Sequence, residues 1–111
     1  METHGLFIDG EEKPAQSGAT YPSINPANGQ VWAHFAAASR GDVDAAVASA
    51  KRAHDEGVWR KKTPAERAEI LRRVADLITD HHMDLVMAEI QDSGGTMRKG
   101  NGADIMGANM S

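Results

Sequence analysis

The sequence predicts an α+β fold, in which short β-hairpins precede three to four helices. Two observations predict it. In the first third, turn-forming pairs separate short runs that favour extended backbone. From Ser39 onward, apolar residues recur every three or four positions, which is the period of an amphipathic helix. We therefore expect strands within about residues 6–35 and helices at about 40–56, 63–81 and 83–92.

The opening segment predicts two hairpins or one meander. Leu6-Phe7-Ile8 is followed by Asp9-Gly10, a pair suited to a type I′ turn because both central residues of that turn have positive φ. Residues 20–24 then run extended into Asn25-Pro26, where the proline disfavours helix at the residue before it. Asn28-Gly29 predicts a second turn and a further strand after it. Two such hairpins are only marginally stable unless another element packs on them.

The first helix should begin at a capping box. Ser39 supplies the cap hydroxyl and Asp42, three residues later, supplies the reciprocal carboxylate. The helix should end near Gly57, because glycine tolerates the left-handed conformation that closes a helix. Its apolar residues at helical spacing are Val43, Ala46, Val47 and Ala50.

The second helix has the clearest start in the chain. Thr63 is a cap hydroxyl, Pro64 occupies the first helical position and Glu66 the third. Five large apolar residues at helical spacing predict a buried stripe along it. They are Ile70, Leu71, Val74, Leu77 and Ile78.

The third helix is expected to bury Leu85, Val86 and Ile90 or their neighbours, and to end at Gly94-Gly95. A fourth helix is expected to begin after Thr96. The helical stripes are rich in branched aliphatic residues, while aromatic residues make up 5% of the chain. Part of these stripes should therefore face protein that is absent from this chain, since exposed apolar stripes mark interfaces.

Composition limits the function classes. A chain of 111 residues is one domain at most. Its formal net charge of −4 argues against a nucleic-acid partner, because such partners require a basic surface. The absence of cysteine excludes disulfides and thiolate metal sites. No secretory signal and no apolar run as long as a membrane span is visible, so we expect a soluble, cytoplasmic protein without a membrane partner.

Five segments have an order and spacing that match a known family. They read LFIDGE at residues 6–11, SINPANG at 23–29, DVDAAVA at 42–48, WR at 59–60 and TPAERAEILRRVADLI at 63–78. This series resembles the N-terminal segment of the aldehyde dehydrogenase superfamily, of the betaine-aldehyde type or a related one. The resemblance runs from about Leu6 to the last residue. It implies that residues 1–111 are an incomplete N-terminal portion of a cofactor-binding domain within a larger α/β fold.

The resemblance implies an activity that this chain does not carry alone. Members of the family oxidise an aldehyde to a carboxylic acid with NAD or NADP, through a cysteine thiolate, an oxyanion-binding asparagine and a glutamate base. In the family all of these groups lie downstream of the matched segment. We therefore expect no catalytic or cofactor-binding residue in the chain, and no binding of NAD or NADP by this segment alone.

The resemblance also implies one candidate site. Aldehyde dehydrogenases of the betaine-aldehyde type hold a monovalent cation through backbone carbonyls near an Asn-Pro-Ala segment and an aspartate at the end of an early helix. The matching positions are Ser23, Ile24 and Asp92. Oxygen donors of this kind suit a hard cation. The alternative is that Asp92 only hydrogen-bonds at its helix end, ahead of the glycine stop.

Two functions remain open. In the first, the chain is the N-terminal structural segment of an NAD(P)-dependent aldehyde dehydrogenase, whose partner is the remainder of that chain in a homo-oligomeric parent. Ser111 falls inside or just before a helix, so truncation of a longer protein is expected. In the second, the chain is a naturally short, non-catalytic interaction module that binds a full-length relative through its apolar stripes.

Overall fold

A computed structural model describes residues 1–99 of the chain. Within them it contains five strands and three helices of more than ten residues, followed by one helical turn. The predicted α+β architecture is confirmed. The strands are β1 (Glu2–His4), β2 (Leu6–Ile8), β3 (Glu11–Lys13), β4 (Thr20–Asn25) and β5 (Gln30–Ala36). The helices are α1 (Arg40–Glu56), α2 (Pro64–Asp80), α3 (His82–Ser93) and α4 (Met97–Lys99).

The described chain divides into two compact units. The first unit comprises Met1–Ser23 and Val31–Lys62, and the second comprises Ile24–Gln30 and Thr63–Ser111. Among the described hydrophobic residues only three are fully buried: Ala15 and Ala33 in the first unit and Val86 in the second. Each unit, taken by itself, therefore has few buried apolar side chains among residues 1–99.

The first unit begins with the predicted hairpin. β2 and β3 pair antiparallel, with Phe7 opposite Glu12. The turn residues have φ values of 56° for Asp9 and 77° for Gly10, as a type I′ turn requires. α1 contacts β2, and the Arg52 guanidinium lies 3.5 Å from the Asp9 carboxylate.

The second sheet has the strand order β1-β5-β4. β1 pairs parallel with β5, which places His4 opposite Phe35. Their rings stack at a centroid distance of 5.1 Å, and Tyr21 also stacks on Phe35 at 5.9 Å. The sequence analysis did not predict β1, because its pairing depends on a strand about thirty residues away and leaves no local pattern.

α1 has the predicted ends. The Ser39 hydroxyl accepts a hydrogen bond from the Asp42 N–H, and the Asp42 side chain accepts one from the Ser39 N–H. Gly57 closes the helix in the left-handed region with a φ of 78°. The Arg60 guanidinium then donates to the carbonyl oxygens of His54 and Asp55 at 3.0 and 3.1 Å. Arg60 thus adds donors at the helix end, where the His54 carbonyl also accepts from the Gly57 N–H at 3.1 Å.

In the second unit, α2 begins as predicted and contacts α3. The Thr63 hydroxyl accepts from the Glu66 N–H at 3.2 Å, and Pro64 is the first helical residue. His81 ends α2 and directly precedes α3. In α3, Val86 is fully buried and Ile90 is half-buried, whereas Leu85 is exposed.

The end of α3 packs on the turn that follows β4. Gly94 closes the helix with a φ of 71°. A Cβ atom added to Gly94 would lie 3.1 Å from the Pro26 Cβ and 3.2 Å from the Ala27 nitrogen. The turn is held by the Asn25 side chain, whose Oδ1 accepts from the Ala27 N–H at 2.9 Å. The fourth helix predicted after Thr96 is a single turn here, and any continuation lies outside the described residues.

Candidate functional site

The predicted buried stripe of α2 is largely exposed, which corrects the sequence analysis. Leu71 is 58% exposed, Val74 44% and Leu77 56%. We call these three residues the α2 apolar face. Ile70 and Ile78 are half-buried, so part of the predicted stripe packs inside the unit. The periodicity identified an apolar side of the helix, but it did not show whether the chain supplies protein to cover it.

The α2 apolar face has the geometry of a docking surface. Its residues are three apart and lie on one side of the helix. The charged pair Glu69 and Arg72, with 3.8 Å between carboxylate and guanidinium, lies on the other side. Covering the exposed parts of three such side chains would contribute about 1 kcal/mol each. Such a surface favours contact with protein over contact with water.

α3 adds exposed methionines to the second unit. Met83 and Met87 are one helical turn apart and are both exposed. Methionine side chains are flexible and adapt to irregular apolar surfaces. They fit a role in packing against further protein.

Two residues of the proposed cation site, Ser23 and Ile24, are consecutive in β4, and Asp92 lies in α3. Ile24 and Asp92 belong to the second unit, and Ser23 is the last residue of the first unit's opening segment. The Ser23 hydroxyl accepts a hydrogen bond from the Trp32 indole N–H at 3.1 Å. This bond is made by the side chain, whereas the resemblance assigns the Ser23 backbone carbonyl to the cation.

Packing within the second unit holds the end of α3, which carries Asp92, against the turn that follows Ile24. Asp92 lies in the last turn of α3, and Gly94 contacts Pro26 and Ala27, which follow Ile24 closely in the chain. In residues 1–99 no group of three or more His, Asp or Glu side chains could hold a metal ion. A cation here would therefore depend on backbone carbonyls together with one carboxylate, which suits a hard monovalent ion.

A cleft in the first unit was not predicted from the sequence. Its volume is about 280 Å³. Small residues line most of it, among them Gly5, Ala15, Gly18, Ala19 and Ala36. It escaped the sequence analysis because small residues in separate strands and loops carry no periodic signal. None of the helices in residues 1–99 is both long and apolar enough to cross a membrane.

Sequence comparison matches the chain to aldehyde dehydrogenases. A sequence model of the aldehyde dehydrogenase family matches residues 13–110. The chain is 44% identical over 99 residues to an aminoacetaldehyde dehydrogenase of Pseudomonas aeruginosa, an alignment that covers 89% of this chain and 20% of that protein.

Solved structures of aldehyde dehydrogenases match the chain as well. A gamma-glutamyl-gamma-aminobutyraldehyde dehydrogenase from Burkholderia cenocepacia matches 96% of this chain with a TM-score of 0.92 and 37% identity, using 22% of its own length. An aldehyde dehydrogenase from Bacillus cereus, solved with NAD+, matches 96% with a TM-score of 0.91 and 36% identity, also over 22% of its length. The chain thus spans about a fifth of the length of these relatives.

Proposed function

The chain belongs to the aldehyde dehydrogenase family, and from that premise we propose that it is the N-terminal structural segment of a longer enzyme. That enzyme would oxidise an aldehyde to a carboxylic acid with NAD or NADP. The chain has no cysteine, so it lacks the family's nucleophile, and the remaining four-fifths of the family length would supply the chemistry. We further propose a cytoplasmic, homo-oligomeric parent.

The observation that carries this proposal is the α2 apolar face. Leu71, Val74 and Leu77 would be covered by the remainder of the dehydrogenase chain, which removes their side chains from water. The role of the segment is then structural: it docks strands and helices onto the cofactor domain and contributes no reacting group. NAD or NADP would be bound by the remainder and not by this segment alone.

A chimera tests the proposal. It joins residues 1–111 to the part of the Pseudomonas aeruginosa aminoacetaldehyde dehydrogenase that follows its matching segment, and aminoacetaldehyde oxidation is measured. We expect activity within about tenfold of the parent enzyme, a loss of about 1.4 kcal/mol in transition-state stabilisation at most. A chimera that folds and assembles but is inactive would contradict the proposed role.

The alternative function is a short interaction module that binds a full-length relative. The α2 apolar face fits this role as well, since an exposed apolar surface does not identify its own partner. The two functions differ in what the chain should bind. A structural segment binds only an enzyme that lacks its own N-terminal segment, whereas an interaction module binds the intact enzyme.

We also propose that the parent enzyme holds a monovalent cation through the carbonyl oxygens of Ser23 and Ile24 and the carboxylate of Asp92. The packing of Gly94 on Pro26 supports it, because it holds the end of α3 against the turn after Ile24. In the chimera, Asp92→Ala should remove the dependence of thermal stability on potassium. Asp76→Ala, which removes an exposed carboxylate from α2, is the control. An unchanged potassium dependence in Asp92→Ala would rule the site out.

A further inference from the structure

Asp42 is the one buried charged residue in the described part of the chain, with 6% of its surface exposed. Its carboxylate accepts hydrogen bonds from several donors. Oδ2 accepts from the Ser39 N–H at 2.9 Å and lies 2.9 Å from the Ser39 hydroxyl oxygen. Both carboxylate oxygens lie 3.2 Å from the backbone nitrogen of Gln16 and share its N–H. The capping box accounts for the bonds to Ser39, but not for the bond to Gln16, which is 26 residues away.

Gln16 is held at a second point as well. The Gln16 Oε1 lies 3.3 Å from the Ser39 hydroxyl oxygen. A Cβ atom added to Gly41 would lie 2.5 Å from the same Oε1. The Gln16 side chain therefore lies directly against the first turn of α1 and would have to shift if Gly41 carried a Cβ atom. The backbone N–H and the side-chain Oε1 of Gln16 both contact residues at the start of α1.

The segment that carries Gln16 forms one wall of the 280 Å³ cleft. Its members in the lining are Pro14, Ala15, Gly18 and Ala19. Within the segment, the Gly18 N–H donates to the Ala15 carbonyl at 2.9 Å, which makes a tight turn. Two sets of contacts hold this wall: those of Gln16 with the first turn of α1, and a hydrogen bond from the Ala37 N–H to the Ala19 carbonyl at 2.8 Å.

We propose that Asp42 is a latch that fastens residues 14–19 to the first turn of α1, and that neutralising its carboxylate opens the cleft while α1 stays helical. A carboxylate has only acceptors, which suits a site where Ser39 and Gln16 both present N–H donors. A neutral acid or an amide places its own donor against one of them and leaves it unpaired. α1 itself keeps the Ser39 cap and its glycine end.

The same contacts determine the response to acid. The Ser39 N–H lowers the pKa of Asp42 most, burial opposes it, and the Ser39 hydroxyl, the Gln16 N–H and the Lys13 charge lower it further. The pKa of Asp42 is thus below the ordinary carboxyl value of 3.8. Because the folded-state pKa is the lower one, the latch is fully formed above pH 3.8 and is lost as the pH falls through the folded-state pKa.

Amide hydrogen exchange of the 111-residue chain, resolved by NMR, tests the latch. In Asp42→Asn the exchange of the Gln16 and Gly18 amides should accelerate at least about tenfold, as expected for one lost hydrogen bond to a charged group. The α1 amides after the first turn should keep their protection. Asp44→Asn removes the same charge from an exposed position of the same helix and should leave Gln16 unchanged.

Three outcomes would overturn the proposal. The first is a wild-type Gln16 amide that already exchanges like a free loop amide. The second is equal acceleration in Asp42→Asn and Asp44→Asn. The third needs no variant: if the Asp42 carboxyl of the wild-type chain titrates by NMR at or above 3.8, the carboxylate does not hold the contacts described. This titration also tests the proposal if Asp42→Asn does not fold.

Discussion

The first turn of α1 and the middle of α2 differ in how far the chain itself supplies partners for their side chains. Both helices are 17 residues long and begin at a hydroxyl cap. At α1, a buried carboxylate is fully engaged by Ser39 and Gln16. At α2, Leu71 and Leu77 are more than half exposed. Asp42 is therefore fully paired at the start of α1, whereas apolar side chains stay uncovered on α2 and also on α1, where Val43 is 52% and Val47 63% exposed.

The largest expected effect comes from placing charge on the α2 apolar face. In the chimera, Leu71→Asp combined with Leu77→Asp should reduce aminoacetaldehyde oxidation at least about a hundredfold, because burying two unpaired carboxylates costs several kcal/mol. Activity and assembly by size-exclusion chromatography are measured together. Arg73→Asp, a charge change on an exposed residue of the same helix, should change activity less than about twofold. Full activity of the doubly substituted chimera would remove the basis for docking through this face.

Gly94 gives the next largest effect. Gly94→Ala should destabilise the chimera by about 2–3 kcal/mol, because alanine is strained at a φ of 71° and its Cβ meets Pro26 and Ala27. Gly29→Ala is a matched control, since Gly29 also has a φ of 71° but nothing lies within 4 Å of an added Cβ. It should cost about 1 kcal/mol, from strain alone. Equal shifts of the unfolding midpoint would show that the contact with the turn is not formed.

The smallest expected effects distinguish the two helix starts. Thr63→Ala removes a cap that bonds only to Glu66, and should cost about 1 kcal/mol. Ser39→Ala should cost more, up to about 2 kcal/mol, because the Ser39 hydroxyl also contacts Gln16 and Asp42. Urea unfolding followed by circular dichroism measures both. A larger loss of unfolding free energy in Thr63→Ala than in Ser39→Ala would contradict the difference between the two helix starts.

Features with a local chemical cause could be predicted from the sequence. Asp9-Gly10 determines its own turn, Ser39 and Thr63 cap the helices they precede, and Gly57 ends α1. In each case the residue type and its neighbours within four positions are sufficient. The α+β architecture followed from these local features.

Features that join distant residues could not be predicted. The parallel pairing of Glu2 with Ala33 and the bond from Gln16 to Asp42 each span more than 25 positions and leave no periodic trace. Helical spacing marked the apolar side of α2, but it carries no information on whether other residues cover Leu71. The proposed cation ligands came from the family resemblance, since isolated Ser, Ile and Asp residues carry no signal of their own.

The most direct test of the account is binding of the 111-residue chain to the Pseudomonas aeruginosa aminoacetaldehyde dehydrogenase, followed by sedimentation velocity. One sample is the intact enzyme and the other lacks the segment that matches this chain. The account predicts that the chain co-sediments with the truncated enzyme and restores aminoacetaldehyde oxidation, and that it does not bind the intact enzyme. Binding to the intact enzyme, with no restoration of the truncated one, would contradict a structural segment and favour the interaction module.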